Sequence, residues 1–226
     1  MAEAAKKRIA VLISGRGSNM ASLIEAARAP DYPAEIALVL SNRPEAPGLA
    51  RAADAGIATA IVDHKTHPER EAFERALDHA LVEHRIELLC LAGFMRILTP
   101  WFINRWLGRM LNVHPSLLPL FKGLHTHRRA LEEGVRIHGC TVHFVTPELD
   151  SGPIIAQAAV PVLPSDTEES LAARVLRQEH VIYPLALGLV AGGKVRLQQG
   201  RVEVDADWDE SAALVSPSPA CGRGSG

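Results

Sequence analysis

An amide, an imidazole and a carboxylate stand at the ends of apolar runs of the sequence. Asn112 and His114 lie in LNVHPSLLP, residues 111–119, and Asp150 lies in ELDSGP, residues 148–153. An asparagine amide can donate a hydrogen bond to a developing oxyanion, and a histidine can exchange a proton near neutral pH. A carboxylate beside the histidine would favour its charged form and fix its orientation. On spacing alone, turn capping by the same residue types is an equal alternative.

The residues around these three groups limit the chemistry that they can support. No Ser or Cys occupies a nucleophile-elbow context, which favours direct attack by a substrate amine or by water over an acyl-enzyme. The histidines of GLHTHRR, His125 and His127, have no Cys or acid at ligand spacing beside them. Because a metal site needs three or four ligands, we expect no metal there, and a loop lining a phosphate or polar-ligand pocket instead.

A glycine-containing loop, SGRGSN at residues 14–19, follows the first apolar run and opens a helical pattern. Glycines let the backbone approach a ligand, and a helix N-terminus offers free N–H groups to a phosphate. Met20 stands at the third glycine position of a dinucleotide fingerprint, and the second apolar run ends in Ser41 and Asn42 rather than in an acid. The loop therefore predicts a cradle for a single phosphate, with a tight turn that binds no ligand as the alternative.

Alternating apolar and helical patterns predict the scaffold that positions these residues. Five predicted strands are the apolar runs at residues 8–13, 35–40, 57–62, 87–92 and 109–113. Helical patterns follow the first three strands, with Ser18 as the predicted N-cap of the first helix and THPE, residues 66–69, as a capping box before the third. Strands that alternate with helices form right-handed βαβ units and a parallel sheet.

The pattern changes in the last third of the chain. The apolar stretches at residues 138–145 and 153–162 are joined by a short loop without a helix, which favours an antiparallel pair. A long helix follows, which Asp166 or Thr167 opens and which we expect to bend near Pro184.

The predicted fold class is α/β, a Rossmann-like, open, mostly parallel sheet with a mixed C-terminal portion. A short hairpin is predicted around Gly200. We expect residues 1–205 to form one domain. Residues 206–226 form a predicted tail, disordered at its low-complexity end.

Composition narrows the range of partners and compartments. The chain has 24 Lys and Arg against 26 Asp and Glu, a net charge of -2, so it lacks the strong positive field of nucleic-acid binders. No apolar run approaches the roughly 20 residues that a membrane helix needs. Cys90, Cys140 and Cys221 are odd in number and form no CxxC pair, which fits a reducing compartment. We expect a cytoplasmic protein that binds neither nucleic acid nor a membrane.

Six segments, in order along the chain, carry a resemblance to a known family. They are VLISGRGSN, SNRPEAPGLARA, LAGFMRILTPWF, NVHPSLLPLFKGLHTH, HGCTVHFVTPELDSGPIIAQ and RVLRQEHVIYP. Through these segments, over about residues 8–200, the chain resembles the folate-dependent formyltransferases, most closely those that act on glycinamide ribonucleotide in purine synthesis.

The resemblance implies that Asn112, His114 and Asp150 match the catalytic trio of that family. In the family, the substrate amine attacks the formyl carbon of the cosubstrate 10-formyltetrahydrofolate, and no metal takes part. Asn112 and protonated His114 would stabilise the oxyanion of the tetrahedral intermediate. Asp150 would hold His114 charged and help to relay the proton of the amine through water.

The resemblance also implies which residues bind the two ligands. The residues that match the ribonucleotide site are Gly17, Ser18, Asn19 and Glu179. Those that match the folate site are Arg70, Met95, Arg96, Ile97, Leu98, Asn112, Thr146, Pro147, Glu148, Leu149 and Asp150. Three apolar side chains of this set would form a slot for the pterin, namely those of Met95, Ile97 and Leu98.

Two positions depart from the pattern of the family. Arg16 stands where many members have Asn or Thr, so its side chain would add charge near the phosphate. Leu120 stands where some members have Lys, while Lys122 follows two residues later. A cation close to the phosphate would therefore be supplied differently.

Three other activities are alternatives to the one that the resemblance favours. Methionyl-tRNA formyltransferases share the Asn, His, SLLP and Asp pattern but carry a further RNA-binding domain, and formyltetrahydrofolate hydrolases carry a further regulatory domain. We expect neither domain here. A non-catalytic folate- or nucleotide-binding module would have little reason to keep the complete trio. We expect small-molecule substrates only, and a monomer or homodimer.

Overall fold

Seven strands form one sheet in the computed structural model, which describes residues 5–205. In chain order they are β1 Lys7–Ile13, β2 Ala34–Ser41, β3 Thr59–Ile61, β4 Leu88–Leu91, β5 Met110–His114, β6 Ile137–Phe144 and β7 Ile154–Pro161. Their order across the sheet is β3-β2-β1-β4-β5-β6-β7. β1 to β5 are parallel to one another. β6 is antiparallel to β5, and β7 is antiparallel to β6. The predicted α/β class, with a mostly parallel sheet and a mixed C-terminal portion, is confirmed.

The end of β5 differs slightly from the prediction. The sequence predicted a strand over residues 109–113, but β5 also includes His114, which pairs with Thr141 of β6. Side chains two residues apart on a strand point to the same face of the sheet. Asn112 and His114 therefore project together, and Pro115 follows the strand directly.

Within residues 5–205, six α-helices connect the strands or flank the sheet. They are α1 Ser18–Ala27, α2 Pro47–Asp54, α3 Arg70–Glu83, α4 Pro100–Arg105, α5 Thr126–Glu132 and α6 Glu168–Ala191. α4 and α5 have only 6 and 7 residues, too few for the helical periodicity on which the predictions depended. Thr167 opens α6 by a reciprocal capping box with Ser170, and the helix runs on through Pro184.

The prediction that Ser18 caps α1 is wrong. Gly17 is the N-cap, with φ 67°, and Ser18 is already the first helical residue. The left-handed conformation of the glycine turns the chain directly into the helix, so that no side chain is needed to close the first turn.

The predicted capping box at residues 66–69 is also wrong. The Thr66 hydroxyl donates to the Asp63 carbonyl at 2.8 Å, and the Asp63 carboxylate accepts from the Lys65 N–H at 2.9 Å. These bonds close a separate 3-10 turn, His64–Thr66. α3 begins only at Arg70, and no side chain caps its first turn.

Two apolar cores cover the two faces of the sheet. β1 divides its residues between them: Ile9, Val11 and Ile13 pack in the core that α1 and α6 cover, while Ala10 and Leu12 pack in the core that α3 and α4 cover. This alternation buries both faces of a central strand, as expected for a parallel strand with helices on each side. Each fully buried aliphatic side chain contributes roughly 1.5–3 kcal/mol to folding.

Tyr183 of α6 connects this helix to the two strands at the centre of the sheet. Its hydroxyl lies 3.1 Å from the main-chain carbonyl oxygen of Leu91 and 3.1 Å from that of Leu111. Burial raises the pKa of Tyr183 well above its ordinary value, so the hydroxyl stays protonated and donates. α6 thereby holds β4 and β5 in place.

A two-stranded hairpin, β8 Val195–Gln198 and β9 Arg201–Val204, follows α6 and confirms the turn predicted around Gly200. The tail predicted at residues 206–226 lies outside the described residues. Within residues 5–205, no helix has both the length and the apolar character that a membrane crossing requires.

Candidate active site

The loops that follow β1, β4 and β5 leave the sheet from the same edge, because these three strands are parallel neighbours. Open α/β sheets bind their ligands at this edge, beyond the carboxyl ends of the strands. The first of these loops is residues 14–19, and the second contains residues 94–98. They are called the 14–19 loop and the 94–98 loop below.

His114 and Asp150 form a buried pair. His114 Nδ1 lies 3.5 Å from Asp150 Oδ2, and the two side chains are only 7% and 8% exposed. The other ring nitrogen, Nε2, lies 3.0 Å from the carbonyl oxygen of Phe121. A carbonyl can only accept, so Nε2 carries the proton of the neutral ring. Nδ1, which faces the carboxylate, is then the unprotonated nitrogen of the neutral ring.

Asn112 is held in place by His143 of the neighbouring strand. Asn112 Nδ2 lies 3.3 Å from His143 Nε2, and His143 Nδ1 lies 2.9 Å from the carbonyl oxygen of Phe144. His143 Nδ1–H therefore donates to this carbonyl, which leaves Nε2 as an acceptor for the Asn112 amide. Burial lowers the pKa of His143 and so keeps its ring neutral. One N–H of the Asn112 amide is fixed, and the second remains for a ligand oxygen.

The loop that carries Asp150 returns along the sheet to reach His114. Because β6 is antiparallel to β5, Phe144 pairs with Leu111, near the start of β5 rather than at its end. Asp150 adopts φ 47°, in the left-handed region that Asp tolerates better than most residues. Its Oδ2 accepts a hydrogen bond from the Gly123 N–H at 2.8 Å. The carboxylate is thus held between the imidazole and the loop that follows β5.

The 14–19 loop has the geometry of an anion cradle. With Gly17 in the left-handed conformation, the chain enters α1 at Ser18, and the first N–H groups of the helix have no partner within it. Asn19 Nδ2 donates to Glu179 Oε2 at 2.6 Å, and both side chains are buried. Burial raises the pKa of Glu179, and the hydrogen bond from Asn19 offsets part of that effect. The four residues assigned to the ribonucleotide are therefore neighbours, although Glu179 lies on α6.

Gly48 supports the 14–19 loop, and sequence reasoning missed it. Its N–H donates to the Gly15 carbonyl at 3.1 Å. A Cβ at this position would lie 2.5 Å from Ile13 Cδ1 and 2.9 Å from Gly15 O, so a larger residue would displace the loop. The available signal was the glycine itself, because glycine in the first turn of a helix is unfavourable unless close packing requires it.

The apolar residues assigned to the folate differ in exposure. Met95 and Ile97 of the 94–98 loop are exposed, as is Leu149 beside Asp150, so all three can contact a ligand. Leu98, in contrast, is buried in the core that α3 and α4 cover. Its side chain packs in this core beneath the 94–98 loop and does not line an open slot for a ligand.

The polar residues assigned to the folate lie on three segments. Arg70 is exposed at the start of α3, and Arg96 is half-buried in the 94–98 loop. Thr146, Pro147 and Glu148 belong to the loop after β6, where the Thr146 hydroxyl donates to the Glu148 carbonyl at 3.4 Å. The 94–98 loop is joined to the 14–19 loop by a hydrogen bond from the Met95 N–H to the Ser14 hydroxyl, at 2.8 Å.

His125 and His127 point to different surroundings. His125 is exposed before α5, whereas the ring of His127 packs against that of His138, with 5.3 Å between the ring centroids. Burial lowers the pKa of His127 and lowers that of His138 to about 4, so both rings are neutral at neutral pH. In the part of the chain that the structure describes, no three His, Cys, Asp or Glu residues are grouped as metal ligands.

A small cavity of about 190 Å³ opens beside Asp150. Lys122 lines it, with its ammonium group donating to the Ser151 hydroxyl and 3.8 Å from the Glu148 carboxylate. A larger apolar groove, about 400 Å³, lies between Tyr32 and α6 and contains none of the predicted site residues. Two of the predicted residues, Glu148 and Asp150, line the small cavity, and none lines the apolar groove.

Known proteins are similar to this chain over most of its length. The family model for formyl transferases matches residues 7–187. Trifunctional purine biosynthetic protein adenosine-3 of Bos taurus is 51% identical over 198 residues, which are 87% of this chain and 20% of that protein. Phosphoribosylglycinamide formyltransferase of Escherichia coli (strain K12) is 47% identical over 197 residues, which are 87% of this chain and 93% of that protein. The chain thus spans about a fifth of this trifunctional relative and nearly all of the bacterial one.

Solved structures agree with these sequence relatives. Glycinamide ribonucleotide transformylase 1 from Symbiobacterium toebii matches with a TM-score of 0.85 and 46% identity, over 88% of this chain and 94% of its own. Phosphoribosylglycinamide formyltransferase from Brucella melitensis matches with a TM-score of 0.80 and 56% identity, over 83% of this chain and 97% of its own. The chain belongs to the formyl transferase family.

Proposed function

We propose that the chain transfers the formyl group of 10-formyltetrahydrofolate to the amine of glycinamide ribonucleotide, a step of de novo purine biosynthesis. The observation that carries the proposal is the buried His114–Asp150 pair, 3.5 Å apart, with Asn112 two residues from His114 on β5. These groups combine a proton-exchanging pair with an oxyanion donor. Family membership and the names of the relatives support the identity of the acceptor.

The reaction begins with direct attack of the amine on the formyl carbon. As the new C–N bond forms, the formyl oxygen becomes an oxyanion and accepts hydrogen bonds from the second N–H of Asn112 and from His114. His114 Nε2–H donates to the Phe121 carbonyl in the structure. The formyl oxygen therefore takes the place of this carbonyl as the acceptor when the substrates bind.

Asp150 controls the protons of the reaction. Facing Nδ1, its carboxylate keeps His114 protonated while negative charge develops on the formyl oxygen. It also receives, through a water molecule, the proton that the attacking amine loses. The tetrahedral intermediate then collapses: the bond from the formyl carbon to N10 breaks, N10 takes the proton that Asp150 received from the amine, and the carbonyl re-forms. The formylated amine and tetrahydrofolate are the products, and no oxidant, metal or ATP is consumed.

The acceptor binds through its phosphate and ribose. The main-chain N–H groups of Gly17, Ser18 and Asn19, at the N-terminus of α1, hold the phosphate by hydrogen bonds and by the helix dipole. Glu179, which Asn19 orients at 2.6 Å, contacts the sugar portion of the ribonucleotide. Because the 14–19 loop and the loop after β5 leave the sheet from the same edge, a ribonucleotide held there directs its glycinamide amine towards His114.

The donor binds between the 94–98 loop and the loop that carries Asp150. Met95, Ile97 and Leu149 supply apolar contacts to the pterin, and main-chain groups of both loops read its polar edge. Both substrates are small molecules, and the reaction requires neither nucleic acid nor a membrane. The buried free thiols of Cys90 and Cys140 suit the reducing conditions of the cytoplasm.

A competition assay tests this function. The purified full chain is given 10-formyltetrahydrofolate with water alone, with glycinamide ribonucleotide or with methionyl-tRNA, each in the presence and absence of a chelator. We expect tetrahydrofolate release only with the ribonucleotide, at a rate that the chelator does not change. Release without an added acceptor would identify a hydrolase, and formylated tRNA would identify the tRNA enzyme. No product with the ribonucleotide, or activity lost to the chelator, would contradict the proposal.

A further inference from the structure

Ser14 joins the 14–19 loop to the 94–98 loop. Its hydroxyl accepts a hydrogen bond from the Met95 N–H at 2.8 Å and donates one to Asn42 Oδ1 at 2.5 Å. A serine hydroxyl has a single proton, so the two bonds have a defined direction, from Met95 to Ser14 and from Ser14 to Asn42. Ser14 and Asn42 are 5% and 2% exposed, so water competes little for either bond.

Asn42 is itself held by groups on its far side. Because its Oδ1 accepts from Ser14, its amide nitrogen faces His64, with 3.1 Å between Asn42 Nδ2 and His64 Nδ1. His64 Nδ1 also lies 2.9 Å from the main-chain carbonyl oxygen of Asn42, so this nitrogen either donates to the carbonyl or accepts from the Asn42 amide, depending on its tautomer. The His64 ring packs edge-on against Phe73 of α3. The Asn42 amide therefore turns its oxygen towards Ser14, which sets the direction of the hydrogen bond between them.

The 94–98 loop has a second tether, which does not involve the 14–19 loop. The Thr99 N–H donates to Glu74 Oε1 at 2.6 Å, and the Thr99 hydroxyl donates to the other carboxylate oxygen. Glu74 lies on α3 and is fully buried. Of these two tethers, Ser14 is the one that belongs to the loop assigned to the phosphate.

We propose that Ser14 is a positioning residue that couples ribonucleotide binding at the 14–19 loop to folate binding at the 94–98 loop. The inference rests on the proposed function for the identity of the two ligands. A phosphate that orders the 14–19 loop also orders the Ser14 hydroxyl, and with it the Met95 N–H. The second ligand then meets a loop that is already ordered, which produces positive coupling without direct contact between the ligands. The expected coupling is about fivefold, the worth of one buried hydrogen bond.

Calorimetry on the full chain measures this coupling with tetrahydrofolate and glycinamide ribonucleotide, which cannot react with each other. We expect saturating ribonucleotide to lower the dissociation constant of tetrahydrofolate about fivefold in the wild type. In Ser14→Ala the ratio of the two dissociation constants should fall to one. Ser14→Thr, which retains a hydroxyl, should restore the coupling.

Thr99→Val is the matched control, because it loosens the other tether of the 94–98 loop. It should weaken tetrahydrofolate binding equally with and without the ribonucleotide, so that the ratio stays at the wild-type value. A residue with a merely structural role would weaken binding in the same way, whereas a positioning residue changes the ratio. An unchanged ratio in Ser14→Ala, or a ratio of one in the wild type, would overturn the inference.

A second variant keeps the test decisive if Ser14→Ala does not fold. Asn42→Ala leaves the serine in place but removes the acceptor of its proton, and it should also abolish the coupling. Failure of the proposed function has a different signature: the wild type would then not bind glycinamide ribonucleotide and would transfer no formyl group to it. Failure of the coupling alone would leave both ligand binding and formyl transfer intact.

Discussion

His138 limits how far the pH can fall before the chain loses stability. Its ring is 1% exposed and packs against Phe121 and His127, with centroid distances of 5.7 and 5.3 Å. Neither ring nitrogen makes a hydrogen bond of normal geometry within residues 5–205, although the Pro115 carbonyl lies near the ring. Burial therefore lowers the pKa of His138 from 6.5 to about 4, with His127 adding to the shift and the Pro115 carbonyl offsetting part of it.

The direction of the pH effect follows from this depressed pKa. The unfolded chain binds the proton first, so the contribution of the neutral His138 ring is fully present above pH 6.5 and is lost as the pH falls towards 4. At about pH 5, the difference between the two pKa values lowers the free energy of unfolding by about 2 kcal/mol. Domains are stable by only roughly 5–15 kcal/mol, so this loss is measurable.

His138→Phe removes the titrating group and keeps an aromatic ring in the same space. Urea unfolding at about pH 7.5 isolates the change in packing, because the histidine is neutral there in both states. Between about pH 7.5 and about pH 5, the free energy of unfolding should fall by about 2 kcal/mol less in the variant than in the wild type. His127 and His143, whose pKa values burial also lowers, remain and maintain a residual loss in acid. Equal losses in the two proteins would refute the reasoning.

Three further substitutions test other parts of the site. Gly48→Ala brings a Cβ to 2.5 Å from Ile13 Cδ1 and displaces the 14–19 loop, so the KM for the ribonucleotide should rise about tenfold in steady-state kinetics; an unchanged KM would contradict this. Asn112→Ala removes an oxyanion donor and should lower kcat on the order of a hundredfold, and a loss of only a few-fold would exclude that role. Glu179→Gln removes a buried carboxyl. Burial raises the pKa of this carboxyl in the folded chain, so its ionisation above about pH 4.5 lowers the free energy of unfolding. At neutral pH this variant should have a higher melting temperature and weaker ribonucleotide binding by calorimetry, and a lower melting temperature would count against the reasoning.

Local patterns predicted most elements of the fold. β1 to β7 could be predicted from their apolar stretches, and α1, α2, α3 and α6 from the helical spacing of their apolar residues. α4 and α5 are too short to show one. The predicted caps of α1 and α3 were wrong because the left-handed backbone of Gly17 turns the chain into α1, and because Thr66 bonds to Asp63 in a separate turn instead of capping α3.

The candidate site was predictable only where it is local in sequence. Asn112 and His114 could be singled out because they are two residues apart at a strand end. Asp150 reaches them because the loop after β6 runs back along the sheet to the end of β5, and no local sequence pattern specifies this path. Ser14 and Asn42 both stand at the ends of predicted strands. Asn42 served only as evidence against a dinucleotide site, because such a site would have an acid there. Their hydrogen bond spans 28 residues, and the bond from Met95 to Ser14 spans 81, so both depend on how the sheet assembles.

Asp150→Asn tests most directly the central claim that the Asp150 carboxylate beside His114 drives formyl transfer. Asparagine tolerates the left-handed backbone at this position, φ 47°, and its carbonyl oxygen can still accept from the Gly123 N–H. The substitution therefore removes the charge and little else. The measurement is the single-turnover rate of formyl transfer to glycinamide ribonucleotide at saturating concentrations of both ligands. We expect a rate at least about a hundredfold below that of the wild type, with both dissociation constants within about twofold. A wild-type rate would contradict the role of Asp150 and, with it, the proposed chemistry.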